Sequence, residues 1–106
     1  FEDFARQNFQ KHQDIDAVYG ADLPALAFLK VAQEQGIRVP EDLKIIGYDG
    51  TTVTQMNVMV LTAVVQDIQK LAEEAVRLLL DKISGRPVKK TQEVVDVTLR
   101  KGKTTI

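Results

Sequence analysis

Cysteine and tryptophan are absent from the sequence, and histidine occurs once, at position 12. The lack of cysteine excludes a disulfide scaffold and metal sites built on thiolates. One imidazole without clustered carboxylates is a poor metal site and does not build a Ser/His/Asp set. We therefore expect no cofactor and no metal. We interpret His12 as the solvated end of a helix, where a partial positive charge is favourable.

An excess of charge is also missing, because 14 Lys and Arg residues face 15 Asp and Glu residues. A chain so balanced has no overall electrostatic attraction for DNA or RNA. No apolar run approaches the ~20 residues that a membrane span needs, and no signal peptide is visible. We expect no membrane contact and a cytoplasmic location. The composition, 44% hydrophobic and 27% charged, is that of one small globular domain or a piece of a larger one.

The most informative stretch spans residues 36–50 and predicts a loop, a buried strand and an acidic turn. Gly36 closes a helix, since the residue after a helix end often adopts a positive φ. Pro40 disfavours helix at Val39, so the chain arrives extended. The short apolar run that follows is typical of a strand buried on both faces: Leu43, Ile45 and Ile46.

Asp49 ends this strand. In open α/β sheets, ligands bind beyond the carboxyl ends of the strands, so this carboxylate is a candidate ligand contact. Asp49-Gly50 is also a strong turn pair, and the carboxylate could serve only the turn. The residues alone leave both interpretations open.

Periodicity predicts the remaining elements. We expect helices over 1–12, 23–35 and 68–84, strands over 16–20, 62–66 and 94–99, and a loop with a short helical turn over 51–61. Asp22 and Asp67 stand where an N-cap carboxylate accepts backbone N–H groups. Strand, helix and strand form a βαβ unit with parallel strands. The predicted fold class is α/β, a parallel sheet flanked by helices.

Three further patterns concern surfaces. The helix over 23–35 has apolar residues on more than one face, which indicates a partner besides the sheet. Glu73 and Glu74 point about 100° apart on their helix, so they do not converge on a substrate, and we expect no enzyme; either could pair with Arg77. A basic excess near the end is typical of a solvated terminus: Lys89, Lys90, Arg100, Lys101 and Lys103.

Four blocks of the chain, 16–27, 36–49, 61–66 and 97–105, resemble the C-terminal third of bacterial transcription regulators of the lac-repressor/gal-repressor family. The block GIRVPEDLKIIGYD at 36–49 is the most specific. The resemblance implies the C-terminal lobe of a two-lobe, periplasmic-binding-protein-like fold. It implies that residues 1–61 form the core of that lobe, 62–100 the lobe-crossing strands and a helix of the first lobe, and 101–106 a tail.

The resemblance also implies a function. Such regulators bind a sugar or related small effector between the lobes, form homodimers, and change the affinity of a separate N-terminal helix-turn-helix for operator DNA. That DNA-binding domain is absent from this sequence. The chain would then be an effector-sensing and dimerisation fragment of a repressor.

Individual positions carry the family's roles. Asp49 matches the carboxylate that accepts hydrogen bonds from effector hydroxyls, and Gln66 matches a position near the ligand at the lobe crossing. Asp22 matches the residue after the family's effector-binding Asn, whose own position is Ala21 here. The expected dimer interface could equally be ordinary core, since both are apolar; it consists of Leu26, Leu29, Lys30, Met56 and Val58.

Two other functions stay open from the sequence. A sugar-binding component of a transport system shares the two-lobe fold but needs an export signal, and the block at 37–42 favours the regulator. A phospho-acceptor signalling domain needs converging acidic residues, Mg²⁺ and a lysine near the last strand. Only single acids occur at each predicted turn.

Overall fold

A computed structural model describes residues 1–88 and 90–106. Lys89, one member of the basic excess, lies outside the described residues. The elements in chain order are α1 (Glu2–Lys11), β1 (Ala17–Ala21), α2 (Asp22–Glu34), β2 (Lys44–Asp49), a short 3-10 helix (Thr52–Gln55), β3 (Thr62–Gln66), α3 (Ile68–Ile83) and β4 (Val97–Arg100). The expected elements are confirmed to within about two residues, except that β4 begins at Val97 rather than at residue 94.

The chain divides into two compact units. The first contains Phe1–Val65 and Thr98–Ile106, and the second contains Gln66–Val97. Across the described residues, no helix is long and apolar enough to cross a membrane.

The sheet has the strand order β1-β2-β3-β4. β1 pairs with β2 in parallel, with Tyr19 opposite Ile46, and β2 pairs with β3 in parallel, with Ile46 opposite Thr62. The predicted parallel βαβ unit is confirmed. Parallel pairing brings the carboxyl ends of neighbouring strands to one edge of the sheet, which is where this fold class binds ligands.

The core of the first unit lies between the sheet and the helices α1 and α2. Ile45 and Leu43 are 0% and 1% exposed. Phe28 of α2 contacts the rings of Phe4 and Phe9 edge-on, with centroids 6.1 and 5.4 Å apart. Full burial of one such side chain contributes about 1.5–3 kcal/mol. Helix packing therefore fixes α2, and with it Asp22, the residue that directly follows β1.

The C-terminal tail closes the amino end of the sheet. The carbonyl oxygen of Thr104 accepts from the Ile45 N–H at 2.9 Å, and the Thr104 hydroxyl donates to the Ile45 carbonyl at 2.6 Å. The same hydroxyl accepts from the Thr62 N–H at 2.9 Å, and Thr104 is 0% exposed. One buried threonine thus bridges β2 and β3.

The second unit contains α3, which begins as predicted with the Asp67 side chain accepting from the Lys70 N–H at 3.0 Å. Arg77 pairs with Glu74 at 2.6 Å, whereas Glu73 accepts from the Gln69 amide at 3.1 Å. All of α3 is described, and none of its residues is buried. Its exposed apolar stripe consists of Ile68, Leu71, Val76, Leu79, Leu80 and Ile83.

Candidate functional site

Two of the predicted site residues end neighbouring strands. Ala21 is the last residue of β1 and Asp49 the last residue of β2, and Ala21 lies opposite Tyr48 in the register. Ala21 is exposed and Asp49 is half-buried. Gln66 is the last residue of β3 and half-buried, and it belongs to the second unit. The edge formed by Ala21 and Asp49 is the candidate effector edge.

The backbone at Asp49 is strained. Among the described non-glycine residues, Asp49 alone has a positive φ, +107°. Such a conformation costs about 1–3 kcal/mol and persists only when neighbouring groups hold it. Gly50 follows with φ +71°, and a Cβ at Gly50 would lie 2.5 Å from Cγ2 of Val65. Asp49-Gly50 therefore makes the predicted turn, and a ligand role for the Asp49 carboxylate remains a prediction.

Asp22 is a major group that holds this turn. Its carboxylate accepts hydrogen bonds from the Gly50 N–H at 3.3 Å, the Thr51 N–H at 2.7 Å and the Thr51 hydroxyl at 2.7 Å. Asp22 is only 4% exposed. The N-cap prediction for Asp22 is wrong, because Asp22 is the first residue of α2 and Ala21 takes the cap position. A carboxylate in the first helical turn reaches the neighbouring loop, where buried N–H groups need an acceptor.

Arg100 corrects a second prediction. It belongs to the basic excess that we expected at a solvated end, yet it is half-buried. Its Nη2 donates to the Thr54 hydroxyl at 2.6 Å, and its Nη1 contacts the Gly50 carbonyl at 3.4 Å. Within the described residues, Nε of Arg100 is buried without a hydrogen-bond partner. The guanidinium therefore lies inside the loop that follows β2, between the turn and the 3-10 helix.

Three members of this network are not predicted from the sequence: Thr51, Thr54 and Arg100. Thr54 is 0% exposed, and its hydroxyl donates to the Thr51 carbonyl at 2.6 Å. Asp22 and Thr51 are 29 residues apart, and Arg100 and Thr54 are 46 apart. No local pattern marks such pairs. The only hint was that Thr51–Leu61 lacks charge and a clean period.

An apolar groove of about 530 Å³ lies beside the network in the first unit. Four of the five residues predicted for the dimer interface line it, and the fifth, Met56, is 80% exposed. The four are Leu26, Leu29, Lys30 and Val58. Leu29 is 3% exposed and also belongs to the core, whereas Val58 is fully exposed. Buried core side chains thus form the bottom of the groove, and exposed apolar side chains line its edge.

A salt bridge borders this groove. The Lys30 ammonium donates to the Glu2 carboxylate at 2.8 Å. That hydrogen bond lowers the pKa of Glu2 and raises the pKa of Lys30. Both side chains are well exposed, so the pair orients the ammonium and adds little to stability.

A parallel sheet with polar residues at its carboxyl edge, next to an apolar groove, defines an α/β domain of the ligand-binding type. The particular family follows from comparison with known proteins. The model of the periplasmic binding protein-like domain matches residues 3–105, and the chain belongs to that family. The resemblance drawn from the four sequence blocks is confirmed.

The relatives are transcription regulators. The chain is 37% identical over 95 residues to the HTH-type transcriptional regulator CelR of Thermobifida fusca, covering 89% of this chain and 28% of that protein. It is 39% identical over 79 residues to the HTH-type transcriptional repressor CytR of Escherichia coli strain K12, covering 74% of this chain and 23% of that protein. The chain therefore spans less than a third of the curated relatives that it matches.

Solved structures agree. The CelR–cellobiose complex superposes with a TM-score of 0.89 at 33% identity, over 97% of this chain and 32% of that one. A dimeric lac repressor superposes with a TM-score of 0.88 at 30% identity, over 98% of this chain and 38% of that one. The fold is thus that of the effector-binding domains of these regulators.

Asp22→Asn provides a test of the turn. The amide keeps one acceptor oxygen, which can still accept from Thr51, but it presents its NH2 donor to the Gly50 N–H. We therefore expect the free energy of unfolding to fall by about 1–3 kcal/mol. Urea denaturation followed by circular dichroism measures the change. Asp14→Asn, at an exposed position, is the matched control. Equal denaturation midpoints for the two variants would contradict the role assigned to Asp22.

Proposed function

We propose that this chain is the effector-sensing and dimerisation part of a bacterial transcriptional repressor. In this proposal residues 1–61 form the core of the C-terminal lobe, 62–100 contain lobe-crossing strands and the first-lobe helix α3, and 101–106 are the tail. A separate N-terminal helix-turn-helix binds operator DNA. Effector binding shifts DNA affinity because the effector binds the two global states differently.

The strained turn at Asp49 is the observation that carries the effector role. A non-glycine residue held at φ +107° at the carboxyl end of a parallel strand indicates a side chain whose direction matters. A carboxylate can accept hydrogen bonds from two hydroxyl groups of a sugar. Ala21 and Asp22 belong to the proposed set within the first unit: the methyl group of Ala21 offers no side-chain hydrogen bond, and the buried Asp22 carboxylate acts by holding the turn. Gln66, in the second unit, remains a prediction from the family resemblance alone.

A sugar is the proposed effector class because two solved relatives carry sugars. One is the CelR–cellobiose complex, and another is a LacI family regulator in complex with lactose. The transport alternative is not favoured, since the matched curated relatives are transcription regulators. We assign no enzymatic activity to the chain.

The apolar stripe of α3 supports its assignment to a first lobe. Amphipathic helices in folded proteins bury their apolar face against another element. In α3 that face is open, with Leu79 and Ile83 58% and 72% exposed. A lobe that packs on this stripe would bury its apolar side chains.

The groove that contains Leu26 and Val58 is the proposed homodimer face. An interface of a two-fold dimer uses the same patch on both copies, and exposed apolar side chains such as those lining this groove are typical of its centre. The dimeric lac repressor among the structural relatives supports a dimer. Met56, which is exposed close by in the chain, is assigned to the rim of the same face.

Val58→Glu tests the dimer face. Both this variant and its control, Val94→Glu, also carry Leu79→Glu, which places a charge in the α3 stripe and blocks association there. Val58 and Val94 are both largely exposed, so neither change opens the core. We expect Val58→Glu to weaken self-association at least about tenfold, because a buried unpaired charge costs several kcal/mol, while Val94→Glu leaves it unchanged. Sedimentation velocity measures both. Equal association in the two variants would exclude the groove as the dimer face.

A further inference from the structure

We infer that Arg100 is a positioning residue that couples the Asp49 turn to the groove, through Thr54. This inference rests on the proposed function, in which the turn meets the effector and the groove meets a second copy. It assigns a regulatory role to a side chain that touches neither.

At the turn end, two side chains of opposite charge contact the backbone of Gly50. The Asp22 carboxylate accepts from the Gly50 N–H, and the Arg100 Nη1 approaches the Gly50 carbonyl at 3.4 Å. Gly50 directly follows the strained Asp49. A displacement of the Gly50 peptide therefore moves the Asp49 carboxylate. The same displacement changes the contacts that Asp22 and Arg100 make with Gly50.

At the groove end, Thr54 anchors the 3-10 helix. Its hydroxyl accepts from Arg100 Nη2 at 2.6 Å and donates to the Thr51 carbonyl, and its own carbonyl accepts from the Leu61 N–H at 3.2 Å. Val53, the residue before it, lines the groove together with Val58. A shift of Thr54 therefore moves apolar side chains of the proposed dimer face.

The guanidinium connects the two ends as a rigid unit. It is planar, so a movement of one terminal nitrogen moves the other. Its contact with Thr54 is short, whereas those with the Gly50 and Leu61 carbonyls are 3.4 and 3.5 Å. Long contacts of this kind strengthen or break with small displacements. Nε is buried without a partner, so the terminal nitrogens are the polar atoms that hold the group.

The test follows amide chemical shifts of the isotope-labelled chain and needs no effector. Asp49→Gly removes the side chain and frees the backbone to leave φ +107°, and both changes perturb the turn. We expect this change to move the amide signals of Val53 and Val58 in the otherwise unaltered chain. In an Arg100→Met background, the same change should move them by less than about half as much, because the coupling between the two sites is lost.

A second background guards against misfolding. Thr54→Val is similar in shape and removes the hydroxyl that accepts from Arg100 and donates to the Thr51 carbonyl. It leaves the Arg100 side chain in place, and it should reduce the response in the same way. Spectra are recorded at two protein concentrations, because shifts that arise from self-association change with concentration and shifts that arise within one chain do not. Undiminished responses at Val53 and Val58 in Thr54→Val overturn the inference, as does the absence of any response in the unaltered background.

These results do not depend on a sugar or on a dimer. If the shifts propagate as expected while Val58→Glu self-associates like its control, the coupling stands and the proposed dimer face fails. If the dimer face is supported while the shifts stay local, the proposed function stands and the coupling fails.

Discussion

Gly102→Ala should destabilise the chain by about 3 kcal/mol, because backbone overlap cannot be relieved by rotation of a side chain. A Cβ at residue 102 would overlap the carbonyl oxygen of Val60 and lie 2.7 Å from the Leu61 carbonyl carbon and 2.8 Å from the Thr62 nitrogen. Either the tail or the start of β3 must move. The midpoint of urea denaturation, followed by circular dichroism, measures the loss.

Gly20→Ala is the matched control for this variant. Gly20 lies in β1, and a Cβ there would meet no atom within 4 Å. Alanine reduces the conformational freedom of the unfolded chain, so the stability of Gly20→Ala should be unchanged or higher by about 0.4–1 kcal/mol. A Gly102→Ala protein as stable as Gly20→Ala would show that the tail does not lie against β3 as described.

Thr104→Val is the second large effect. Valine has nearly the same shape but no hydroxyl, so the Ile45 carbonyl and the Thr62 N–H both lose a buried partner. Each unsatisfied buried group costs about 1–3 kcal/mol, so the expected loss for the two groups is about 2–6 kcal/mol. Urea denaturation measures the loss of stability. An unchanged m-value, the slope of the unfolding free energy against urea concentration, would show that the variant still unfolds in two states.

Thr98→Val provides the comparison. Thr98 is an exposed residue of β4, and valine favours strands, so its stability should change by less than about 0.5 kcal/mol. If both threonine variants lost the same small amount, the bridge between β2 and β3 would not depend on the Thr104 hydroxyl.

Local patterns were enough to predict the elements. The αβ alternation, the positive φ at Gly36, the N-cap at Asp67 and the strand at 62–66 each depend on a few neighbouring residues, and the structure confirms them. β4 was predicted too long, because Val94 and Val95 have strand-like chemistry but lie outside the strand, which begins at Val97. Residue preference indicates what a segment can form, and pairing with a neighbouring strand decides how far it extends.

Site residues were predictable only where neighbouring residues in the sequence fix their position. The apolar run and the Asp49-Gly50 pair place Asp49 at the carboxyl end of β2, and the structure has it there. Asp22 was interpreted as a cap because its nearest N–H groups in sequence belong to α2. Its partners at Gly50 and Thr51 come from another loop. Arg100 was grouped with its lysine neighbours for the same reason: charge can be read from sequence, whereas long-range partners cannot.

The most direct test of the central proposal uses the complete repressor that would carry this chain, in its original form and as Asp49→Ala. Thermal unfolding is measured with cellobiose, lactose, ribose, nucleosides and purines, one at a time. A ligand at 100 times its Kd stabilises a folded protein by about 2.7 kcal/mol. We predict that at least one sugar raises the Tm of the original protein and leaves that of Asp49→Ala unchanged. A rise of equal size in Asp49→Ala, or no rise with any compound, would contradict the proposal.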